Sequence, residues 1–318
     1  MISISIVICT YNNASLLGRT LATIEQQEIP EGLRWSALVV DNNSTDGTSG
    51  TVQRYVQREL IPGLRYVLEE QLGLAYARRR AVQETDTELI AFVDDDCLLA
   101  PNWVEQAVIF CHGHPNLGAV GGRVQLLWEV TPDETMLSQA PWFAEQDYGD
   151  LPQCLPTADL RGAGVVLQRE AVVASGWLER MIMTDRRGNV LSSHGDTEMM
   201  IRIRNAGYEL WYNPAMCLEH YIPQRRMSIG YLCRLRRGVS QGEGLIAAIA
   251  NNRKPSFRQR LETFSRTALT FMRFSMSIII RDFLLKQHIP SLERRLLFHN
   301  LLGQLEGAWT ALPGRFNI

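Results

Sequence analysis

The chain has 318 residues, 46% hydrophobic and 21% charged, which excludes a disordered chain, a collagen-like rod and a coiled coil. One hydrophobic core stops growing near roughly 250–300 residues, so this length implies one large domain with an appendage, or two modest ones. The net charge of −2 hides a segregation: residues 221–318 hold 16 Lys+Arg against 5 Asp+Glu, a balance of +11, leaving −13 for residues 1–220, so one end attracts anions while the other can hold cations.

The first residues, Met1 to Ile8, carry no basic n-region and no small-residue cleavage site, and read as a strand rather than a signal peptide. Thr10-Tyr11-Asn12-Asn13 then forms a polar turn, and Leu16, Leu17, Leu21 and Ile24 recur at helical intervals within 14–27. Ala37-Leu38-Val39-Val40 is a short buried strand ending at Asp41; turn residues, a helix near 48–59 and a strand near 64–68 follow. Residues 73–84 suit a further helix, and Leu89-Ile90-Ala91-Phe92-Val93 a fully buried strand that stops at Asp94-Asp95-Asp96. Strands alternating with helices predict a mostly parallel α/β sheet with helices on both faces. Ligands of such sheets sit at the carboxyl ends of strands, where Asp41 and the 94–96 run fall.

Beyond residue 125 the pattern loosens. Pro132, Pro141, Pro152 and Pro156 are scattered among Trp128, Trp142, Phe143 and Tyr148, which predicts a long functional loop. Regular structure resumes at Gly164-Val165-Val166-Leu167 and in a helix from about Thr197 to Ala206, and after Pro223 the chain is Arg-rich with a helical apolar face. Arg266, Arg273 and Arg281 interrupt the greasiest stretch, so no spanning helix is expected. The six cysteines lack C-x-x-C spacing; a reducing, cytoplasmic setting fits them, and a zinc or redox site does not.

The Asp94-Asp95-Asp96 run is the sharpest chemical feature. Crowded carboxylates repel one another unless a cation or hydrogen-bond donors share them, and hard oxygen ligands favour Mg2+ or Mn2+, which commonly also bind substrate phosphates. A solvated acidic turn, with Asp96 capping the next helix, is the plainer alternative; the buried strand before the run favours a metal.

Several segments in order resemble the family 2 glycosyltransferases with the GT-A fold: Ile6-Val7-Ile8-Cys9-Thr10-Tyr11-Asn12, Val39 to Thr48, Gly73-Leu74-Ala75-Tyr76-Ala77-Arg78, and Asp94-Asp95-Asp96. Gly162-Ala163-Gly164, Gly195-Asp196-Thr197-Glu198 and Arg202 to Tyr208 extend the likeness to about residue 225. The resemblance implies a catalytic domain over 1–225 and an Arg-rich amphipathic helical segment over 226–318. It implies metal-dependent, inverting transfer of a sugar from a nucleotide diphosphate donor, a UDP-sugar foremost, to a glycan or lipid-linked acceptor in polysaccharide or cell-surface glycan synthesis. In that reading Thr10, Tyr11, Asn12 and Asp41 cradle the nucleotide, Arg78 lies against it or its phosphates, and Asp94 faces ribose and metal. Asp96 ligates the metal, Asp95 belongs to the nucleotide-sugar-binding set, and Gly162, Ala163 and Gly164 let the donor sugar approach.

Asp196 is the candidate base, since an acceptor hydroxyl must lose its proton as it attacks; an N-cap is its ordinary alternative. The family commonly has Glu-Asp there, whereas this chain has Gly195-Asp196. His220 is a candidate ligand of metal or diphosphate. Trp142 and Phe143 suit either stacking on acceptor sugars or core packing. Arg225, Arg226, Arg234, Arg236 and Arg237 suit phosphate, and the apolar face from Phe264 to Leu285 suits either packing on the catalytic domain or an anionic membrane surface. Nucleic acid is not expected, because no reading motif accompanies the basic segment. A nucleotidyltransferase and a noncatalytic sugar- or lipid-binding scaffold are the competing functions.

Overall fold

The structure is a computed structural model describing residues 2–188, 190–251, 257–285 and 291–310. Its elements run β1 (Ser3–Thr10), α1 (Ala14–Glu25), β2 (Arg34–Asp41), α2 (Thr48–Gln57), β3 (Arg65–Leu68), α3 (Leu74–Glu84), β4 (Leu89–Asp94), β5 (Cys97–Leu99), α4 (Trp103–His112) and β6 (Leu117–Trp128). They continue with α5 (Glu134–Leu137), β7 (Gln153–Cys154), β8 (Gly164–Gln168), α6 (Arg169–Ala174), α7 (Trp177–Arg180), α8 (Gly195–Asn205), β9 (Glu209–Ile222), α9 (Ile229–Ala250), α10 (Phe257–Leu285) and α11 (Leu292–Thr310). Two compact units result: Met1–Gly188 with Gly195–Gln224, and Asn189–His194 with Arg225–Ile318.

The first unit is built on one sheet ordered β3-β2-β1-β4-β8-β6-β9-β5, with β7 on β9. Pairings among β1, β2, β3 and β4 are parallel, as is β6 with β9. β8 enters antiparallel between β4 and β6, and β5 and β7 pair antiparallel with β9. The period-two pleat splits the core between two faces. Ile4, Ile6, Ile8, Ala37 and Val39 pack against α1 and α4, whereas Val7, Leu38, Val40, Ile90 and Phe92 pack against α3 and α8. With both faces covered, β1 and β4 are buried almost throughout, β4 as a near-continuous apolar run and β1 with the small Ser3 and Ser5 among its isoleucines.

Two strands carry no sequence announcement, and the reason is local. β6 contains Gly118, Gly121 and Gly122, and β9 contains Pro214, so neither alternates cleanly. Their pairing is irregular around Gly118 and Gly122, and a Cβ on Gly122 would lie 1.6 Å from the Met216 carbonyl oxygen. The glycine admits a backbone-to-backbone approach that no side chain allows. The expected loop after residue 125 starts only beyond Trp128 and contains α5, a 3-10 turn at Ala140–Phe143 and the two-residue β7. Asp96 does not cap the next helix; it precedes β5, and Asn102 occupies the position before α4.

In the second unit α9 and α11 approach closely. Cβ atoms on Gly303 and Gly307 would lie 2.2 Å from the Arg237 carbonyl and 2.1 Å from the Gln241 carbonyl. Arg237 and Gln241 both donate to Glu306 across the same contact. α10 packs the Phe264 ring, tilted, against Trp309 and the Phe271 ring against Phe298 of α11. The part of the expected apolar face from 278 to 285 lies outside the described side chains. Among the described residues no helix is long and apolar enough to cross a membrane.

Candidate functional site

Thr10, Asp41 and Asp94 end three adjacent parallel strands, with Cys9 in register with Asp94 and Thr10 with Asp41. The three consecutive aspartates that follow diverge to different partners. Asp95 turns toward the β1 end, where the Thr10 hydroxyl donates to Oδ2 at 2.6 Å and Asn13 Nδ2 donates to Oδ1 at 2.8 Å. Burial, together with the charge of Asp96, pushes Asp95 up to about 7 against those two bonds. It fastens the loop after β1 to the loop after β4, and it engages the Thr10 hydroxyl. Asp94 faces Arg78 instead, with Oδ1 3.7 Å from Nη2. Burial raises its carboxyl above the usual range although Arg78 pulls the other way.

Asp96 faces β9. Cys97 pairs with His220, which brings the His220 Nε2 to 3.4 Å from Asp96 Oδ1, both side chains buried. His220 Nδ1 lies 2.7 Å from the Phe143 carbonyl oxygen, and a carbonyl can only accept, so Nδ1 carries the hydrogen. In the neutral ring Nε2 then presents a lone pair toward the carboxylate, and Nε2 has no hydrogen-bond partner among the described residues. Two acceptors facing each other in a buried position fit a divalent cation, and an oxygen–imidazole donor pair suits Mn2+. Among the described residues no three such side chains form a complete metal cage; a two-residue set leaves positions for phosphate oxygens.

Arg78 projects from the first turns of α3 and is 4% exposed, so its guanidinium is a buried charge. Nη1 lies 3.1 Å from Asp185 Oδ2, and the charges of Asp185, Asp94 and Asp196 hold its proton firmly against the cost of burial. Asp196 stands inside the first turn of α8, which begins at Gly195, and is therefore not the residue before the helix. The Thr197 N–H donates to Oδ1 at 2.8 Å and the Gly162 N–H to Oδ2 at 3.0 Å. Burial alone would raise Asp196, but Arg78 and these two N–H groups hold it below the ordinary carboxylate range.

Gly162 lies where a Cβ would meet Arg78 Nη2 at 2.6 Å and Asp196 Oδ2 at 3.0 Å, so its missing side chain is what lets the three groups meet. Ala163 is buried and its carbonyl accepts from the Asp94 N–H at 3.2 Å. Gly164 opens β8 within the core, where a Cβ would lie 2.1 Å from Leu218 Cδ2. At the β1–β2 edge Asp41 accepts from the Tyr66 hydroxyl at 2.7 Å and the Ser44 N–H at 2.9 Å. Asn12 takes a left-handed backbone and accepts from the Thr45 N–H at 2.7 Å, while Tyr11 stays partly exposed. Phe143 is buried edge-on against Trp128 and Trp142 is half-buried.

Sequence reasoning passed over Asp185. It sits among Thr184, Arg186 and Arg187, where an acid reads as ordinary loop polarity. Its positive φ of 60° and its burial are tertiary facts.

An open α/β sheet with acids and a buried guanidinium at its carboxyl edge defines a nucleotide-sugar transferase fold of the GT-A type. It is shared with a mannosyltransferase from Pyrobaculum calidifontis solved with GDP-Man and Mn2+, at TM-score 0.59 and 17% identity over 97% of this chain and 86% of that one. It is shared also with residues 1–349 of Staphylococcus aureus TarS, at TM-score 0.54 and 14% identity over 98% and 81%. The profile of Glycosyl transferase family 2 matches residues 5–182, and the chain belongs to that family. Validoxylamine A glucosyltransferase of Streptomyces hygroscopicus subsp. jinggangensis is 34% identical over 160 residues, 45% of this chain and 37% of that protein. The succinoglycan biosynthesis protein ExoM of Rhizobium meliloti is 22% identical over 251 residues, 77% and 75% of the two. The chain thus spans less than half the length of the first of these relatives.

Proposed function

We propose that the protein transfers a sugar from a nucleotide diphosphate donor, a UDP-sugar foremost, to a hydroxyl of a glycan or lipid-linked acceptor, with inversion at the anomeric carbon. The observation that carries this reading is the grouping, at one sheet edge, of an acceptor-lined Asp96–His220 pair with the buried Arg78 and its half-buried acidic neighbours Asp94 and Asp196. Asp96 and His220 would hold Mn2+ or Mg2+, with Asp94 beside them. When bound, that ion supplies a Lewis acid for the charge developing on the leaving diphosphate.

The chain's own groups perform the remaining work. Asp41, Asn12, Tyr11 and the loop fixed by Thr10 and Asp95 line the nucleotide end, with the Tyr11 ring free to stack. Arg78 presents positive charge beside Asp94. Asp196, kept ionised by its N–H donors and Arg78, accepts the acceptor proton as the acceptor oxygen bonds to the anomeric carbon and the bond to diphosphate breaks. Gly162 leaves room for that approach. The basic C-terminal segment would meet anionic headgroups or the phosphate of a lipid-linked acceptor at the cytoplasmic membrane face, in the synthesis of a polysaccharide or surface glycan.

The test is direct. With Mn2+ present, UDP-glucose, UDP-galactose, UDP-N-acetylglucosamine, UDP-glucuronic acid and GDP-mannose are ranked by thermal shift, and products are analysed with glycan and lipid-phosphate acceptors. Release of nucleoside diphosphate with glycosylated acceptor is expected. Pyrophosphate release would mean nucleotidyl transfer, and tight binding without turnover would mean a scaffold.

A further inference from the structure

Asp185 is a buried acid in a backbone conformation that aspartate adopts reluctantly. Its φ is 60° and it is 4% exposed, a combination that persists only when the surroundings over-determine it. The surroundings do so from both sides. The Glu198 carboxylate of α8 accepts from the Ile182 and Met183 N–H groups at 3.0 and 2.7 Å. The Thr184 and Arg186 carbonyls accept from the Ala75 and Leu74 N–H groups that open α3. The strap 182–186 is therefore clamped between the two helices that carry Arg78 and Asp196.

The strap delivers the Asp185 carboxylate into space left by a glycine. A Cβ on Gly195 would stand 2.6 Å from Asp185 Oδ2 and 3.0 Å from its Cβ and Cγ. Residue 195 precedes Asp196 in α8, so a longer acid there and the present Asp185 would compete for one volume beside Arg78. Residue 185 carries the carboxylate and residue 195 carries none. Asp185 also bonds Arg78 through Nη1, while Nη2 turns toward Asp94.

We propose that Asp185 is a positioning residue that anchors the Arg78 guanidinium by one nitrogen, supplying from the strap the acid that the α8 position 195 lacks and keeping that charge from closing onto Asp196. Without the anchor, Arg78 has Asp94 and Asp196 as its remaining acidic neighbours. A guanidinium paired bidentately with Asp196 would block the oxygen that must take a proton. The proposal rests on Asp196 being the base, and the experiment separates the two.

Three variants are compared with wild type: Asp185→Gly, which suits the positive φ and removes the carboxylate; Asp185→Gly/Gly195→Glu, which returns a carboxylate from α8; and Asp196→Asn. The readouts are Mn2+-dependent UDP affinity by calorimetry, and kcat and KM for nucleoside diphosphate release from the five-donor panel with acceptor. Asp185→Gly is expected to lower kcat by about 10- to 100-fold while UDP affinity and donor KM stay within about threefold, and the double variant to recover most of the lost kcat. Wild-type kcat in Asp185→Gly, or no recovery in a double variant that melts like wild type, overturns the proposal. Wild-type turnover in Asp196→Asn instead overturns the base assignment and, with it, this proposal; loss in Asp196→Asn beside full activity in Asp185→Gly overturns the positioning role alone.

Discussion

A methyl group at Gly162 would stand 2.6 Å from Arg78 Nη2 and 3.0 Å from Asp196 Oδ2, and neither neighbour can yield freely. Arg78 is held by Asp185, and Asp196 by two backbone N–H groups. Gly162→Ala is therefore expected to displace Arg78 or Asp196 by a few tenths of an ångström and to lower transfer by about tenfold to a hundredfold. Its melting temperature should fall only as far as a local overpacking of about 1–3 kcal/mol requires, and steady-state kinetics beside a thermal scan would show the split. Asp196→Asn keeps the shape and removes the negative charge, so donor affinity should persist while transfer falls by at least ~100-fold; calorimetry with UDP and Mn2+ alongside product analysis checks it.

Residues of this kind differ in how readable they are. Asp94 and Asp96 draw attention because an acidic run after a buried strand must find counter-charges, and Asp196 because it stands at a helix start. Asp185 is invisible in the chain, since its meaning depends on a left-handed backbone and on a glycine ten residues away. Gly162 and Gly164 look alike in sequence, yet one borders Arg78 and Asp196 and the other makes room for Leu218.

Elements follow the same division. The first four strands and three helices are legible because burial on two faces makes apolar runs, and because polar turns punctuate them. The antiparallel insertion of β8, and the long β6–β9 pair with its register shifts, depend on contacts between distant segments that no local period encodes. In the second unit the contact between α9 and α11 depends on two glycines one helical turn apart. Gly307→Ala would push a methyl into the Gln241 carbonyl, 2.1 Å away, at a cost of about 1–3 kcal/mol. The same contact carries a pH dependence. Hydrogen bonds from Arg237 and Gln241 outweigh burial and hold Glu306 below its ordinary 4.5, so its stabilisation is present above that value and is lost as pH falls through the lower folded-state pKa. Glu306→Gln should flatten the acid limb of a melting-temperature profile, with little change near neutrality beyond the weakened Arg237 bond.

At the scale of the whole chain the governing quantity is charge. Residues 221–318 carry +11 and residues 1–220 carry −13, so the basic end is suited to attract anionic surfaces. Within α10, Phe264 and Phe271 pack on α11, yet Leu261, Leu269, Met272 and Met276 remain exposed. Their spacings of eight, three and four residues set them on one side of the helix, and Arg266 and Arg273 are exposed as well. Apolar side chains accompanied by arginines are the pattern of a helix lying in a lipid interface. Each arginine near an anionic surface contributes about 1 kcal/mol, which is roughly fivefold in binding. The protein should therefore co-sediment with phosphatidylserine-containing vesicles and not with phosphatidylcholine alone, and 0.5 M salt should weaken it by screening. Arg266→Glu/Arg273→Glu should reduce vesicle binding by more than about 25-fold while leaving UDP affinity unchanged, because neither arginine belongs to the sheet edge. Met272→Gln, which changes no charge, should weaken it also through the lost apolar insertion, so its deficit should persist at high salt where that of the arginine pair fades. Equal binding of wild type and both variants would leave the exposed face of α10 without a lipid role.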